Sequence, residues 1–133
     1  MIVLDTHALI WLAEGAGALG KTSRRLSDRA LAENRLAVSA VSFWETAMLS
    51  ERGRLRLTQP VDVWRRALLE IGLLELPLTG EIGIMAASLP DFHADPADRF
   101  LVATATRNLA TLLTAADAIL RWPGKLNRQD ARL

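Results

Sequence analysis

The chain has 133 residues, half of them apolar and 23% charged, the size and composition of one ordinary globular domain spanning 1–133 rather than of a disordered or fibrous chain. Sixteen Lys and Arg against 15 Asp and Glu leave a net charge of +1, which excludes a polybasic arm, so any grip on polyanions must come from local arginines or bound cations. Cysteine is absent, which excludes disulfides and thiolate metal sites and fits a reducing cytoplasm. No apolar stretch reaches the ~18 residues of a membrane span, and Asp5, His7 and Glu14 interrupt the apolar start that a signal peptide would need. A soluble cytoplasmic protein with no membrane partner is expected.

In chain order, Ile2-Val3-Leu4 reads as a short buried strand, which puts Asp5 at a strand's C-terminal end. Residues 8–13 form a helix ended by Gly15 and Gly17, and 23–34 a second one with Arg24, Arg25 and Arg29 facing water. A strand at 36–38 leads to a helix that opens at Ser42 and runs to Arg52, where Gly53 breaks it. Arg54-Leu55-Arg56-Leu57 alternates with the period of a strand or extended loop. Residues 61–71 return to a helical period, 73–76 look like a strand and 81–88 like a short helix. Residues 91–97 make a loop and helix start, 98–107 a helix, 110–113 a strand and 116–121 a last short helix. Trp122-Pro123-Gly124 stops that helix before a polar tail containing Lys125, Arg128 and Arg132. Strands separated by helices predict an α/β fold of three layers: a central parallel sheet of about five strands with helices on both faces. In such sheets the site lies beyond the carboxyl ends of the strands, where Asp5 already stands.

Three helix starts share a pattern, Ser42-x-x-Glu45, Asp95-x-x-Asp98 and Thr114-x-x-Asp117. Capping alone explains each: the first residue accepts a hydrogen bond from a free backbone N–H, and the acid favours the positive end of the helix dipole. Pro96 suits a first helical position, where its missing N–H costs nothing. A functional reading comes from position, because all three first turns are expected at the sheet edge that carries Asp5. Four carboxylates in one cleft repel one another unless cations lie between them. Carboxylate oxygens are the ligands that Mg²⁺ or Mn²⁺ prefer, typically where phosphate is handled, so metal-dependent phosphodiester chemistry is expected. His7 and His93 lack a zinc spacing and are read as hydrogen-bonding neighbours rather than ligands. No histidine adjoins Thr6, Ser39 or Ser42 in a way that suggests a nucleophilic triad.

Four stretches in order, VLDTHALIWL, VSAVSFWETAML, HADPADRFLVATA and LLTAADAIL, together resemble the PIN-domain family, and within it the VapC-like toxins of bacterial toxin–antitoxin pairs. The likeness spans nearly the whole chain. It implies a compact PIN-like α/β fold, a Mg²⁺- or Mn²⁺-dependent endoribonuclease acting on RNA, a cognate antitoxin partner and commonly a homodimer. Position by position, it makes Asp5, Glu45 and Asp98 the catalytic metal-site carboxylates, with Thr6, Ser42 and Thr114 as supporting hydroxyls and Asp95 as the helix cap. One departure stands out. The family's fourth acid usually lies two residues after the Thr or Ser ending the fourth strand, which is Ala116 here, whereas this chain has Asp117. One helical step turns a side chain by roughly 100°, so Asp117 is expected as an outer ligand.

RNA binding requires positive charge beside the acids, and Arg99, Arg52, Arg54 and Arg56 are the candidates. Trp11, Trp44, Trp64 and Trp122 have rings that stack bases, but on apolar helix faces they are read as filling a core or a subunit interface. Two further classes are compatible with the pattern. A non-catalytic binding module of the same fold fits the displaced Asp117. A phosphoacceptor domain would use Asp5, Thr114 and Lys125, but the chain lacks the acidic pair and the mid-sheet Asp that such a domain needs.

Overall fold

In the computed structural model, whose described residues are 1–92 and 95–133, five short parallel strands form one sheet in the order β3-β2-β1-β4-β5. The central strand is β1 (Ile2–Leu4), flanked by β2 (Leu36–Ser39) and β4 (Thr111–Thr114), with β3 (Leu74–Leu76) and β5 (Arg128–Asp130) at the edges. Leu4 pairs in register with Val38 on one side and with Leu113 on the other. Asp5, Ser39 and Thr114 therefore stand level, each one residue beyond that row. The chain builds outward through β1, β2 and β3, then returns to the far side of β1 for β4 and β5. The reversal makes the crevice between β1 and β4 the place where flanking connections diverge.

The period-two alternation of the strands divides the core. Leu4, Leu36, Val38 and Leu113 face Leu9 and Ile10 of α1 (Thr6–Ala13), Ala30 of α2 (Lys21–Ala32) and Trp64 of α4 (Val61–Glu70). Val3, Ala37 and Leu112 face the other way, against Leu101, Val102 and Ala105 of α6 (Pro96–Arg107) and Ile119 of α7 (Asp117–Leu120). Between the layers, α3 (Ala40–Glu51) sends Phe43 to the first cluster and Val41 to the second. Outside them α5 (Gly80–Ala87) packs Ile82 and Ala86 on Ala103 of α6. Leu4, Leu36, Leu112 and Leu113 are at most 1% exposed, and each such side chain stabilises the fold by roughly 1.5–3 kcal/mol relative to exposure. The expected three-layer α/β architecture is the one observed. No helix among the described residues is long and apolar enough to cross a membrane.

Two sequence expectations are corrected and one alternative is decided. Of the strand or extended loop expected at 54–57 the loop is observed, between α3 and α4, with Leu55 and Leu57 packed on the first core cluster and Arg54 and Arg56 exposed. The alternation that resembled a strand is that of a loop laid over apolar surface. The helix at Ser42 begins earlier, at Ala40, because Ser39 is its cap and accepts from the Val41 N–H at 3.2 Å. The polar tail contains a strand, β5, whose Arg-Gln-Asp sequence carries no apolar signal because it is a half-exposed edge. Its Arg128 guanidinium donates to the carbonyls of Ile119, Trp122 and Gly124 and so closes the turn that leads into the strand.

After β5 the chain is tied to the start of α2. Gly20 N–H donates to the Ala131 carbonyl at 2.8 Å, and Thr22 N–H to the Leu133 carbonyl at 2.9 Å. A Cβ on Gly20 would lie 2.0 Å from the Leu133 backbone carbon and 2.5 Å from the Arg132 carbonyl oxygen. Gly20→Ala is therefore expected to force the tail outward and to lower stability by about 1–3 kcal/mol. Urea unfolding should show a lower midpoint, and an unchanged midpoint would mean that the tail is not held there.

Candidate active site

Beyond the ends of β1 and β4 lies a cavity of about 420 Å³ whose wall includes Asp5, Glu45, Asp95 and Asp98. Asp5 is only 4% exposed and both its oxygens are engaged. Its Oδ1 accepts from the Ala8 N–H at 2.7 Å, which makes it the cap of α1. Its Oδ2 accepts from Thr114 Oγ1 at 2.5 Å and from the Ala115 N–H at 3.2 Å. One carboxylate thus joins the ends of β1 and β4 and the first turn of α1.

Glu45 lies one full turn into α3, not in its first turn. It accepts from Thr6 Oγ1, which also shares a 3.0 Å hydrogen bond with the buried Ser42 hydroxyl. A carboxylate can only accept and a threonine has one hydroxyl proton, so Thr6 donates to Glu45 and Ser42 donates to Thr6. Ser42 is therefore no helix cap. It is the inner end of a chain of hydroxyls that sets the Glu45 rotamer. Asp98 is placed by the second pattern as expected: Asp95 caps α6, its Oδ1 accepting from the Asp98 N–H at 2.9 Å, with Pro96 in the first turn. Burial, and then the charges of Asp95, Glu45 and Asp5, push the Asp98 carboxyl up to about 7.

The third expected pair, Thr114 and Asp117, is not a cap and its acid. Thr114 ends β4 and uses its hydroxyl to donate to Asp5 and to accept from the Ala116 N–H at 3.0 Å. Ala116 is the N-cap of α7, Ala115 and Ala116 line the cavity, and Asp117 falls one residue further on. Its side chain is 62% exposed and pairs with Arg132 at 3.4 Å, so the structure does not bring it to the other three acids.

The arginine expectations divide as well. Arg99 donates to the backbone carbonyls of Ala86, at 2.9 Å, and Phe92, and stacks over the Phe92 ring, which ties α5 and the preceding loop to α6 instead of leaving a free cation. Arg52, Arg54 and Arg56 are exposed, carry no ion pair among the described residues and lie outside the cavity lining. Of the tryptophans, Trp64 and Trp122 are buried, Trp44 is 58% exposed, and Trp11 lines the cavity with His7. His93 lies outside the described residues. The sequence reading missed Arg132 on the cavity wall, since nothing in a polar tail marks it as reaching the end of β1.

The donor set is all oxygen, which suits a hard divalent ion. Among the described residues no three acids or histidines are close enough to enclose an ion unaided. Asp5, Glu45 and Asp98, all on the cavity wall, offer oxygen donors of the kind an ion that keeps part of its water would use, as Mg²⁺ usually does with one or two carboxylates. Burial is the largest cause of the raised Asp98 carboxyl, and the further share from Asp95, Glu45 and Asp5 is the repulsion such an ion would relieve.

Comparison with known proteins gives three findings. The model of the PIN domain family matches residues 2–124. The ribonuclease VapC22 of Mycobacterium tuberculosis is 32% identical over 114 residues, covering 85% of each chain. Among solved structures, VapBC2 from Rickettsia felis, bound to a DNA fragment from its promoter, superposes with a TM-score of 0.69 at 17% identity, covering 98% of this chain and 100% of that one. DNA-bound VapBC from Salmonella typhimurium gives 0.68 at 16% identity, covering 97% and 96%. At such identities these two likenesses concern the fold.

The Asp98 carboxyl keeps its proton to about pH 7 in the fold, whereas an unfolded aspartate releases it near ~3.9. The stability linked to this group is therefore present below ~4 and is lost as the pH rises towards 7. In metal-free protein, Asp98→Asn should raise the melting temperature at pH 8 by roughly 2–5 °C, allowing for the open side of the cleft, and change it little at pH 4. Identical melting of the two proteins at pH 8 would contradict this picture of a crowded carboxyl.

Proposed function

Because the chain belongs to the PIN domain family, among its VapC-like members, we propose that it is an endoribonuclease that hydrolyses RNA phosphodiester bonds with Mg²⁺ or Mn²⁺ and is the toxin of a toxin–antitoxin pair. The observation that carries this reading is the convergence of Asp5, Glu45 and Asp98 on one cavity at the switch point of a parallel sheet. The relative named a ribonuclease supports the RNA substrate. Structural neighbours described as toxin–antitoxin complexes support a protein partner that silences the enzyme. A homodimer belongs to the same reading, and the exposed Trp44 and Ile84 supply apolar surface for one.

Asp5, Glu45 and Asp98 would hold the ion. When bound, it supplies charge neutralisation for the phosphate and makes an attacking water more acidic. The chain's own contribution is to hold these groups still before substrate arrives. Thr114 and the Ala115 N–H fix the direction of Asp5, the Ser42–Thr6 relay fixes Glu45, and Asp95 fixes the first turn that presents Asp98. A binding module without catalysis is the second reading, and the exposed position of Asp117 is what favours it.

Cleavage of a structured RNA by purified, antitoxin-free protein separates the two. The ribonuclease reading expects cutting with Mg²⁺, none with EDTA, and a loss on the order of 100-fold or more in Asp5→Asn, the scale expected when one orienting or charge-stabilising group is removed. Cutting that survives EDTA overturns the metal role. No cutting by the metal-replete protein leaves the binding module as the better reading.

A further inference from the structure

We propose that Arg132 is a phosphate-binding residue, whose guanidinium donates to a non-bridging oxygen of the RNA strand lying across the carboxylate cleft. This rests on the ribonuclease reading above. Among the described residues lining the cavity, Arg132 is the one Lys or Arg, and it shares the wall with four acids, Asp5, Glu45, Asp95 and Asp98. A polyanion entering such a cleft meets repulsion everywhere except at a bound cation and at this side chain.

The guanidinium is oriented but not saturated. Its Nε donates to Asp130 Oδ1 at 3.0 Å, and its Nη2 donates to Asp130 Oδ2 at 2.9 Å and to Asp117 Oδ1 at 3.4 Å. The third nitrogen, Nη1, has no hydrogen bond among the described residues, which leaves its two N–H groups to a ligand. Asp130 grips one edge of the planar fork, so the other edge faces outward with its direction already set. This is the arrangement that suits arginine to phosphate oxygens. The long 3.4 Å bond to the exposed Asp117 is the weakest of the three and the one a phosphate would displace.

Other arginines lack this combination. Arg99 and Arg128 give their N–H groups to backbone carbonyls, and Arg65, gripped by Glu75 in the same side-on way, lies outside the cavity wall. Arg132, by contrast, is 49% exposed, while its backbone is fixed by the Arg132 N–H donating to Asp130 Oδ1 at 2.9 Å and by the flanking bonds of the tail to Gly20 and Thr22. Asp117, the acid that leaves the cleft, becomes a partner of the cation that enters its wall.

The experiment measures binding of a fluorescently labelled single-stranded RNA by anisotropy in EDTA across a salt series, alongside cleavage in Mg²⁺. Arg132→Gln is expected to weaken binding about 10-fold and to make the slope of log Kd against log salt shallower by ~0.7, one phosphate contact on a single strand. Arg132→Lys, which keeps the charge and loses the fork, should restore the slope and only part of the affinity. Asp117→Asn should tighten binding, and that gain should disappear in the Arg132→Gln background. An arginine that only clamps the tail predicts otherwise: lowered melting temperatures for both variants and no change of slope. An unchanged slope in Arg132→Gln, with wild-type protein cutting RNA, overturns this inference alone. Wild-type protein that does not cut RNA in Mg²⁺ overturns the ribonuclease reading on which it rests.

Discussion

The buried carboxylate of Asp5 is the fixed point of this molecule. Its two oxygens receive the Ala8 N–H from α1 and the Thr114 hydroxyl and Ala115 N–H from the end of β4, so the group that caps a helix also closes the crevice between the two central strands. A carboxylate that is 4% exposed is tolerable only with its lone pairs satisfied, and three donors do that. Once it is fixed, the parallel register of β1 with β2 and β4 determines what can be near it. Ser39 starts α3 and hence places Glu45, while Thr114 starts the turn that carries Ala115 and Ala116.

Fold and site were legible in the sequence to different degrees, for physical reasons. The three inner strands β1, β2 and β4 are largely buried and carry apolar or β-branched side chains, and the helix punctuation by Gly15, Gly53 and Asp95-Pro96 is local chemistry, so these elements could be read directly. The edge strand β5 could not, because a half-exposed strand of Arg-Gln-Asp has no apolar pattern to read. Capping was misjudged at two of three starts. Ser39 is a better cap for α3 than Ser42, whose hydroxyl is drawn into the relay to Glu45, and Thr114 is drawn to Asp5. In both cases a tertiary partner that accepts the hydroxyl proton set the side chain's role, rather than a helix N–H donor, and tertiary partners are invisible to a local pattern. The gathering of Asp5, Glu45 and Asp98 was legible because Asp5 and the helix of Glu45 follow strands β1 and β2, and the Asp95-Pro96 start of α6 marks the turn that carries Asp98. Counting one residue marked Asp117 as displaced but left it an expected outer ligand, whereas its exposed side chain pairs with Arg132 instead. Arg132 was not legible at all, since its place depends on β5 and on the close approach of the tail to Gly20.

The cleft also carries a cost that the rest of the fold offsets. Asp98 is pressed by burial and by three neighbouring carboxylates, and its raised protonation is the visible result. Nothing in the packing relieves that pressure, whereas two well-filled core clusters on either face of the sheet keep the edge from spreading. Stability held in reserve by the core and electrostatic strain held at the site are two aspects of one arrangement.

The central claim is that three carboxylates, not four, form the ion-holding centre. Titration of the protein with Mn²⁺, followed by electron paramagnetic resonance, tests it without reference to any substrate. Asp5→Asn, Glu45→Gln and Asp98→Asn should each weaken Mn²⁺ binding by about 10-fold or more, while Asp117→Asn should bind as the wild-type protein does. A loss in Asp117→Asn as large as in the other three, or undiminished binding in Asp98→Asn, would contradict the claim.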